Sequence, residues 1–425
     1  MSHPTSIYAE LLSNIRQVSL AVTLSSPPAA CTKITISHDG STSSVRVTHA
    51  GQTSHLTLPG RVSCPDGQDL PVQKRRSGDG RSLTWRLPVA GNGQLNGAEE
   101  AGRAVPWEAR DMVPGGAVSC RNCRAVLVRE GVVGEWKDLP AEGWAEMMEF
   151  WHCHKPGDEH HHGHGHGHGH GHDDQGNGVA DGKADEATLA SRGYGAASAI
   201  SAQKGVGFVD LTVFLFDEGD VQGVTFSPSS FSSGSSSLVS LAATQPNNLN
   251  IFCAACHTRL GYFNRATSAL TLFKWQLSLP TSSPSLPSPS ISHCLSVTLQ
   301  ATLSRTGSSK SLLLPINRLP SPSPSATAPP VLHFWILNPF LRYTSSQTTT
   351  SGGATRAMKL LYRTVTRGEA DKMLEDVNGD VQEVNLPEEG IGAVAERLAE
   401  STALLPETER RYREWDVGML GLWEG

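Results

Sequence analysis

Two short dicysteine motifs stand far apart in this chain, Cys120-Arg121-Asn122-Cys123 and Cys253-Ala254-Ala255-Cys256. A C-x-x-C pair turns tightly and aims both sulfurs at one point, so two such pairs supply the four thiolates of one tetrahedral zinc ion. A fold that satisfies this must bring two remote segments together as one clamped domain. Four protein ligands leave no position open for water or substrate, so the expected zinc is structural rather than catalytic. Two other readings stay open: a redox dithiol in either pair, or independent small thiols. A redox dithiol needs a strand before it and a helix starting at the first cysteine. Instead, Cys120 follows the loop-like Val113-Pro114-Gly115-Gly116, and Cys256 leads into His257-Thr258-Arg259-Leu260-Gly261, a turn into a strand.

Length and charge narrow the class of molecule. The 425 residues are enough for two or three domains, although a good part of the chain is too poor in apolar side chains to pack. With 35 basic and 41 acidic residues the formal charge is -6, and no basic stripe with interleaved aromatics runs along the chain. Direct nucleic-acid binding therefore has no electrostatic support, and proteins are the expected partners. Met1 to Glu10 lacks the basic flank and apolar core of a secretory signal, and no apolar run reaches the roughly 18 residues that span a bilayer. The expected location is the cytoplasm or nucleus, with no membrane. In that reducing setting the eight cysteines describe no disulfide framework, and Cys31, Cys64, Cys153 and Cys294 are expected as free thiols.

Patterning along the chain predicts an α+β fold: β-rich, mainly antiparallel sheets, a few helices, one structural zinc site and long disordered insertions. A short helix is expected over Tyr8 to Val18. Alternation then takes over at Ile34 and Ile36, Val45 and Val47, Leu56 and Leu58, with Asp39-Gly40 and Ala50-Gly51 as hairpin turns. Together with a strand at Ser82 to Leu87 this makes residues 1–95 an N-terminal antiparallel β unit. A zinc-clamped central unit follows over 104–155 plus 206–280, with strands at Phe208 to Phe216 and Ala269 to Leu277 that share a sheet. Its clearest helix runs from Leu139 to Trp151, with Trp144, Met147, Met148 and Trp151 as one apolar stripe. Residues 156–205, with histidine alternating with glycine, read as a disordered insertion. Residues 281–330 are a Ser/Pro-rich stretch of low order around a weak apolar run at Cys294 to Leu303. A C-terminal α+β unit occupies 331–425, with strands at Val331 to Leu337 and Ala357 to Val365. Its helix, from about Pro387 to Ser401, places Ile391, Val394, Ala395 and Leu398 on one face.

Catalytic chemistry has one candidate, Cys153 in Trp151-His152-Cys153-His154-Lys155, where a thiol has basic neighbours that favour the thiolate. On a strand, residues 152 and 154 would face away from 153, so a base would have to come from elsewhere, with His257 a candidate in principle. Cys153 has two other readings, a metal ligand together with His152 or His154, and an inert buried thiol. No G-x-S-x-G elbow, phosphate loop, dinucleotide fingerprint or H-E-x-x-H helix is present to support another enzyme class.

The order of several pieces carries a resemblance. These are Cys120 to Cys123, Trp136-Lys137-Asp138-Leu139-Pro140, Trp144 to Met148, Trp151 to His154, Cys253 to Cys256 and Lys274-Trp275. They are joined by Tyr8 to Gln17, Trp335 to Asn338, Met358 to Tyr362 and Trp415 to Gly418. So ordered, the chain resembles the HECT-like ubiquitin ligases that bind ubiquitin-conjugating enzymes, over nearly its whole length. The resemblance implies a ubiquitin-conjugating enzyme, ubiquitin and a protein substrate as partners, and promotion of ubiquitin transfer. Some family members associate with the machinery that cleaves and polyadenylates pre-mRNA, which adds mRNA 3'-end processing factors to the expected partners. One departure stands out. HECT ligases carry a thioester-forming cysteine near the C-terminus, whereas no cysteine follows Cys294 here, so transthiolation would use Cys153 or another early thiol. A noncatalytic zinc-stabilised scaffold or adaptor is the alternative.

Overall fold

The computed structural model describes residues 5–72, 80–91, 105–139, 201–227, 248–265, 267–316, 331–348, 353–376 and 379–424. They fall into two compact units, Met1–Pro106 with Ser285–Gly425, and Trp107–Pro284. The expected helix over Leu139 to Trp151, its tryptophan and methionine stripe, Cys153 and most of the His/Gly-rich insertion lie outside the described residues. The rest is β-rich, with mainly antiparallel sheets and three α-helices among the described residues: α1 (Ile291–Thr306), α2 (Arg367–Glu375) and α3 (Glu388–Leu404). None of these is long and apolar enough to cross a membrane.

The first unit is built on one long strand, Val331–Ser345, whose two halves hold different partners along one edge. Its first half pairs with Lys310–Pro315, Leu313 opposite Leu332, and its second half with Ser6–Leu12, Leu11 opposite Arg342. Along its other edge runs Thr355–Val365. Register shifts near Asn338 and between Asn338 and Leu341 bend the strand where Pro339 cannot donate to a ladder. The chain's N-terminal hairpin and its C-terminal strands therefore share one nine-stranded sheet. The segments read as separate over 1–95 and 331–425 meet in it.

Tyr8 to Val18 corrects an expectation. In place of a helix the structure has strands Ser6–Leu12 and Gln17–Thr23, with a single 3-10 turn over Ser13–Ile15. Arg16 takes the left-handed conformation that lets the chain reverse. Ile7, Ala9 and Leu11 alternate with period two, and together with Val18, Leu20 and Val22 they pack into a core shared with Ile34, Ile36, Val45 and Val47. Those last four lie on the hairpin strands that the alternation predicted, in a four-stranded sheet completed by Gln68–Asp69, whereas Ser82–Pro88, grouped with them by sequence, pairs with Gln17–Thr23 in the nine-stranded sheet.

A second correction concerns residues 281–330, expected to be of low order. Helix α1 sits there, started by Ser290, whose hydroxyl accepts from the His293 N–H while the His293 ring accepts from the Ser290 N–H, and stopped by Gly307 at φ 72°. Helix α3 matches its expectation closely: Ile391, Val394 and Leu398 are buried, and Pro387 precedes it as the cap. Thr402 of α3 donates to the Val417 carbonyl at 2.7 Å, which ties the helix to strand Trp415–Gly421.

The second unit holds a seven-stranded sheet and a three-stranded one. The apolar run at 208–216 forms two strands, Val206–Val209 and Val213–Asp217, because the chain turns back at Asp210, whose N–H donates to the Val213 carbonyl at 2.9 Å. Val213–Asp217 pairs with Ala269–Phe273, as the shared-sheet expectation required. Phe214 lies between Trp107 and Trp136, at centroid distances of 6.3 and 5.4 Å.

Candidate metal centre

Each dicysteine pair closes by the same backbone device. In the first, the Arg124 N–H donates to the Cys120 carbonyl and the Cys120 N–H to the Ala125 carbonyl, both at 2.9 Å. In the second, the His257 N–H donates to the Cys253 carbonyl and the Cys253 N–H to the Thr258 carbonyl, again at 2.9 Å. The residue after the second cysteine is left-handed in both turns, Arg124 at φ 65° and His257 at φ 57°. A non-glycine residue rarely adopts that conformation unless its surroundings fix it, so the repeat marks two knuckles of one design.

The knuckles converge. Cys120 Sγ lies 3.7 Å from Cys256 Sγ, and Cys123 Sγ 3.6 Å from Cys253 Sγ. All four sulfurs lie within 4.8 Å of one another. A disulfide would bring two sulfurs to about 2.0 Å. An ideal tetrahedron with zinc–sulfur bonds near 2.3 Å has edges of about 3.8 Å, close to the two shortest separations here. All four are free thiols, so the set can hold a metal ion, and its all-sulfur chemistry is consistent with zinc.

Neighbouring segments brace the first knuckle. The Arg121 N–H donates to the Gln276 carbonyl at 2.8 Å, and the Arg124 guanidinium to the Ser278 hydroxyl at 2.7 Å. Asn122 links the two knuckles by donating to the Thr258 hydroxyl at 3.1 Å. Sequence reading missed Asn122 and Thr258; the only signal was their position within and just after the motifs.

The four thiols sit in unlike surroundings. Burial pushes the Cys120 thiol up to about 12, whereas the Thr258 hydroxyl and backbone N–H hold Cys256 down to about 6. Cys120 and Cys253 are buried, while Cys123 is exposed. A cation that binds all four must therefore displace protons, which couples metal affinity to pH.

The remaining sequence candidates scatter. Cys31 is exposed, Cys64 half-buried and Cys294 buried, and none of them joins the cluster. His257 serves the second knuckle's backbone turn. Lys274, part of the Lys274-Trp275 motif, is fully buried: its ammonium donates to the Trp107 carbonyl at 3.1 Å and lies 5.5 Å from the centre of the Phe214 ring.

A profile of the family described as HECT-like ubiquitin-conjugating enzyme (E2)-binding matches residues 10–417. The chain is also similar to an uncharacterised protein of Schizosaccharomyces pombe, 39% identical over 54 residues, which are 12% of this chain and 15% of the relative. An uncharacterised protein of Saccharomyces cerevisiae is 38% identical over 40 residues, 9% of this chain and 12% of the relative. The aligned segments thus cover a small part of either relative. No solved structure matches the chain. With nearly its whole length matched, the chain belongs to the HECT-like E2-binding family.

Proposed function

We propose that this protein docks a ubiquitin-conjugating enzyme charged with ubiquitin and promotes ubiquitin transfer to lysines of protein substrates, with one structural zinc held by Cys120, Cys123, Cys253 and Cys256. The family match over residues 10–417 carries the reading. The zinc would supply folding free energy and no step of the chemistry, since four sulfurs complete its coordination. An all-thiol site suits the reducing cytoplasm or nucleus.

In the transfer we assign to it, the Cys153 thiolate attacks the carbonyl of the conjugating enzyme's thioester. The enzyme's own thiolate leaves, and a substrate amine then attacks the new thioester, expelling the Cys153 thiolate, which takes up the amine's proton as the amide forms. Among the described thiols, Cys294 is too buried for this role, and burial pushes the Cys64 thiol up.

The family is described by binding to a conjugating enzyme rather than by transfer, which supports a second reading, a noncatalytic adaptor for a protein partner such as an mRNA 3'-end processing factor. An intermediate case is positioning alone, where the chain holds the donor thioester beside the lysine and gains rate from proximity. A single-turnover assay separates the three. Charged conjugating enzyme with labelled ubiquitin is mixed with the chain, and products are resolved with and without reductant. A reductant-sensitive adduct that Cys153→Ala abolishes supports transthiolation. Faster discharge without an adduct supports positioning, and neither effect leaves the adaptor.

A further inference from the structure

The two knuckles share one backbone plan, yet their side chains differ at two matched positions. Asn122 of the first corresponds to Ala255 of the second, and Ala125 of the first to Thr258 of the second. Ala125 and Thr258 play the same backbone part, each carbonyl accepting from the N–H of its knuckle's first cysteine at 2.9 Å. A knuckle therefore closes with alanine at either place, and neither the carboxamide nor the hydroxyl is needed to form the turn. Local folding does not explain why these two polar side chains meet.

They meet beside a sulfur. The Asn122 carboxamide donates to the Thr258 hydroxyl oxygen at 3.1 Å, and that oxygen lies 3.2 Å from Cys256 Sγ. With the thiol protonated, the Thr258 oxygen accepts from both neighbours, and its own proton has no acceptor among the described residues. A sulfur bound to a metal carries no proton and can only accept, so the same contact reverses and the Thr258 hydroxyl donates to it. The carboxamide still donates to the oxygen in that state and fixes which way the hydroxyl points.

We propose that Asn122 and Thr258 are positioning residues for the zinc site assigned above: Thr258 donates to the bound Cys256 sulfur, Asn122 orients Thr258, and together they set how tightly the ion is kept. Outer hydrogen bonds of this kind are worth about 10–100-fold in metal affinity. Asn122 belongs to one knuckle and Cys256 to the other, so the bond forms only when both are assembled. It thereby favours an ion held by all four sulfurs over one held by a single pair.

The full chain, stripped of metal under reductant, is titrated with Co2+, and Zn2+ affinity is then measured by competition with a chromogenic chelator. The parent should bind about one Co2+ per chain, with the sulfur-to-cobalt charge-transfer absorption of a four-thiolate site. Thr258→Val, which keeps the shape and removes the hydroxyl, should shift that absorption and weaken Zn2+ by about 10–100-fold, and Thr258→Ser should restore both. Asn122→Ala should weaken Zn2+ by a smaller factor; Asn122 is exposed, so this variant carries the test should Thr258→Val fail to fold. Unchanged absorption and affinity in both variants, with metal still bound, would overturn the pair and leave the zinc reading intact. A Thr258→Ser chain as weak as Thr258→Val would reduce Thr258 to packing and overturn it as well. A parent that binds neither ion would overturn the zinc reading, and the pair would fall with it.

Discussion

The two units solve one problem by different means. Each must join segments distant in sequence, and the first does so with a single 15-residue strand that pairs with three others and contributes buried side chains to two apolar clusters. In the second, one knuckle lies between the paired six-residue strands Asn248–Cys253 and Arg259–Asn264, but the other has only short strands around it, Val118–Cys120, Val126–Val128 and Leu277–Ser278. Such strands contribute few ladder bonds and little apolar area, too little to offset the entropy of ordering the chain there. The four-thiolate ion we propose would add on the order of 10 kcal/mol in one place. Where strands are long, pairing and packing suffice; where they are short, that metal would take over the joining.

The largest way to break this contrast is to remove a ligand. Cys120→Ser or Cys256→Ser should abolish stoichiometric zinc by elemental analysis and cost the second unit on the order of 10 kcal/mol, while strand Val331–Ser345 keeps its hydrogen-exchange protection. Zinc retained in both variants would refute the ligand set, and loss of protection in both units would refute their independence. Next comes Gly261→Ala, which damages the second unit without touching the metal. An added Cβ would meet the Thr271 carbonyl oxygen at 1.8 Å, so neighbouring backbone must move at a cost of about 3 kcal/mol. Equal denaturation midpoints for variant and parent would contradict it.

In the first unit the expected effects are smaller because many contacts share the load. His333 has its folded-state pKa lowered from 6.5 to about 4, so the unfolded chain takes up the proton first as pH falls. Its penalty is absent above pH about 6.5, grows as pH drops toward 4 and then levels off. Discounted for partial solvent screening, it should reach about 1.5 kcal/mol, so His333→Phe should lose less stability between pH 7 and pH 4.5 than the parent. A parallel decline in both proteins would remove His333 as the cause. The smallest effect is Gly307→Ala, which places a side chain at φ 72° at the end of α1 and should cost about 1 kcal/mol in a thermal or urea melt. No measurable change would mean that the helix end relaxes freely.

Legibility in the sequence followed the range of the interactions. The alternation around Ile34 to Val47 and the 3.6-residue stripe of α3 are local patterns, and the structure keeps both. Helix α1 was legible as well, since Ser290 and Gly307 are ordinary caps, but the Ser/Pro composition around it hid them. Tyr8 to Val18 misled because a short apolar run fits either period, and its strand identity depends on pairing with residues 342–345 at the far end of the chain.

The sequence by itself determined the chemistry of the candidate metal site, because four cysteines in two C-x-x-C turns can satisfy one tetrahedral ion whatever lies between them. It also determined family membership, through the order of its motifs. Only the tertiary structure decided that Cys120 meets Cys256 and Cys123 meets Cys253, and that Asn122 reaches Thr258. The physical reason is that motif chemistry resides in single side chains and adjacent backbone. Juxtaposition depends on strand register, which long-range pairing and burial select together.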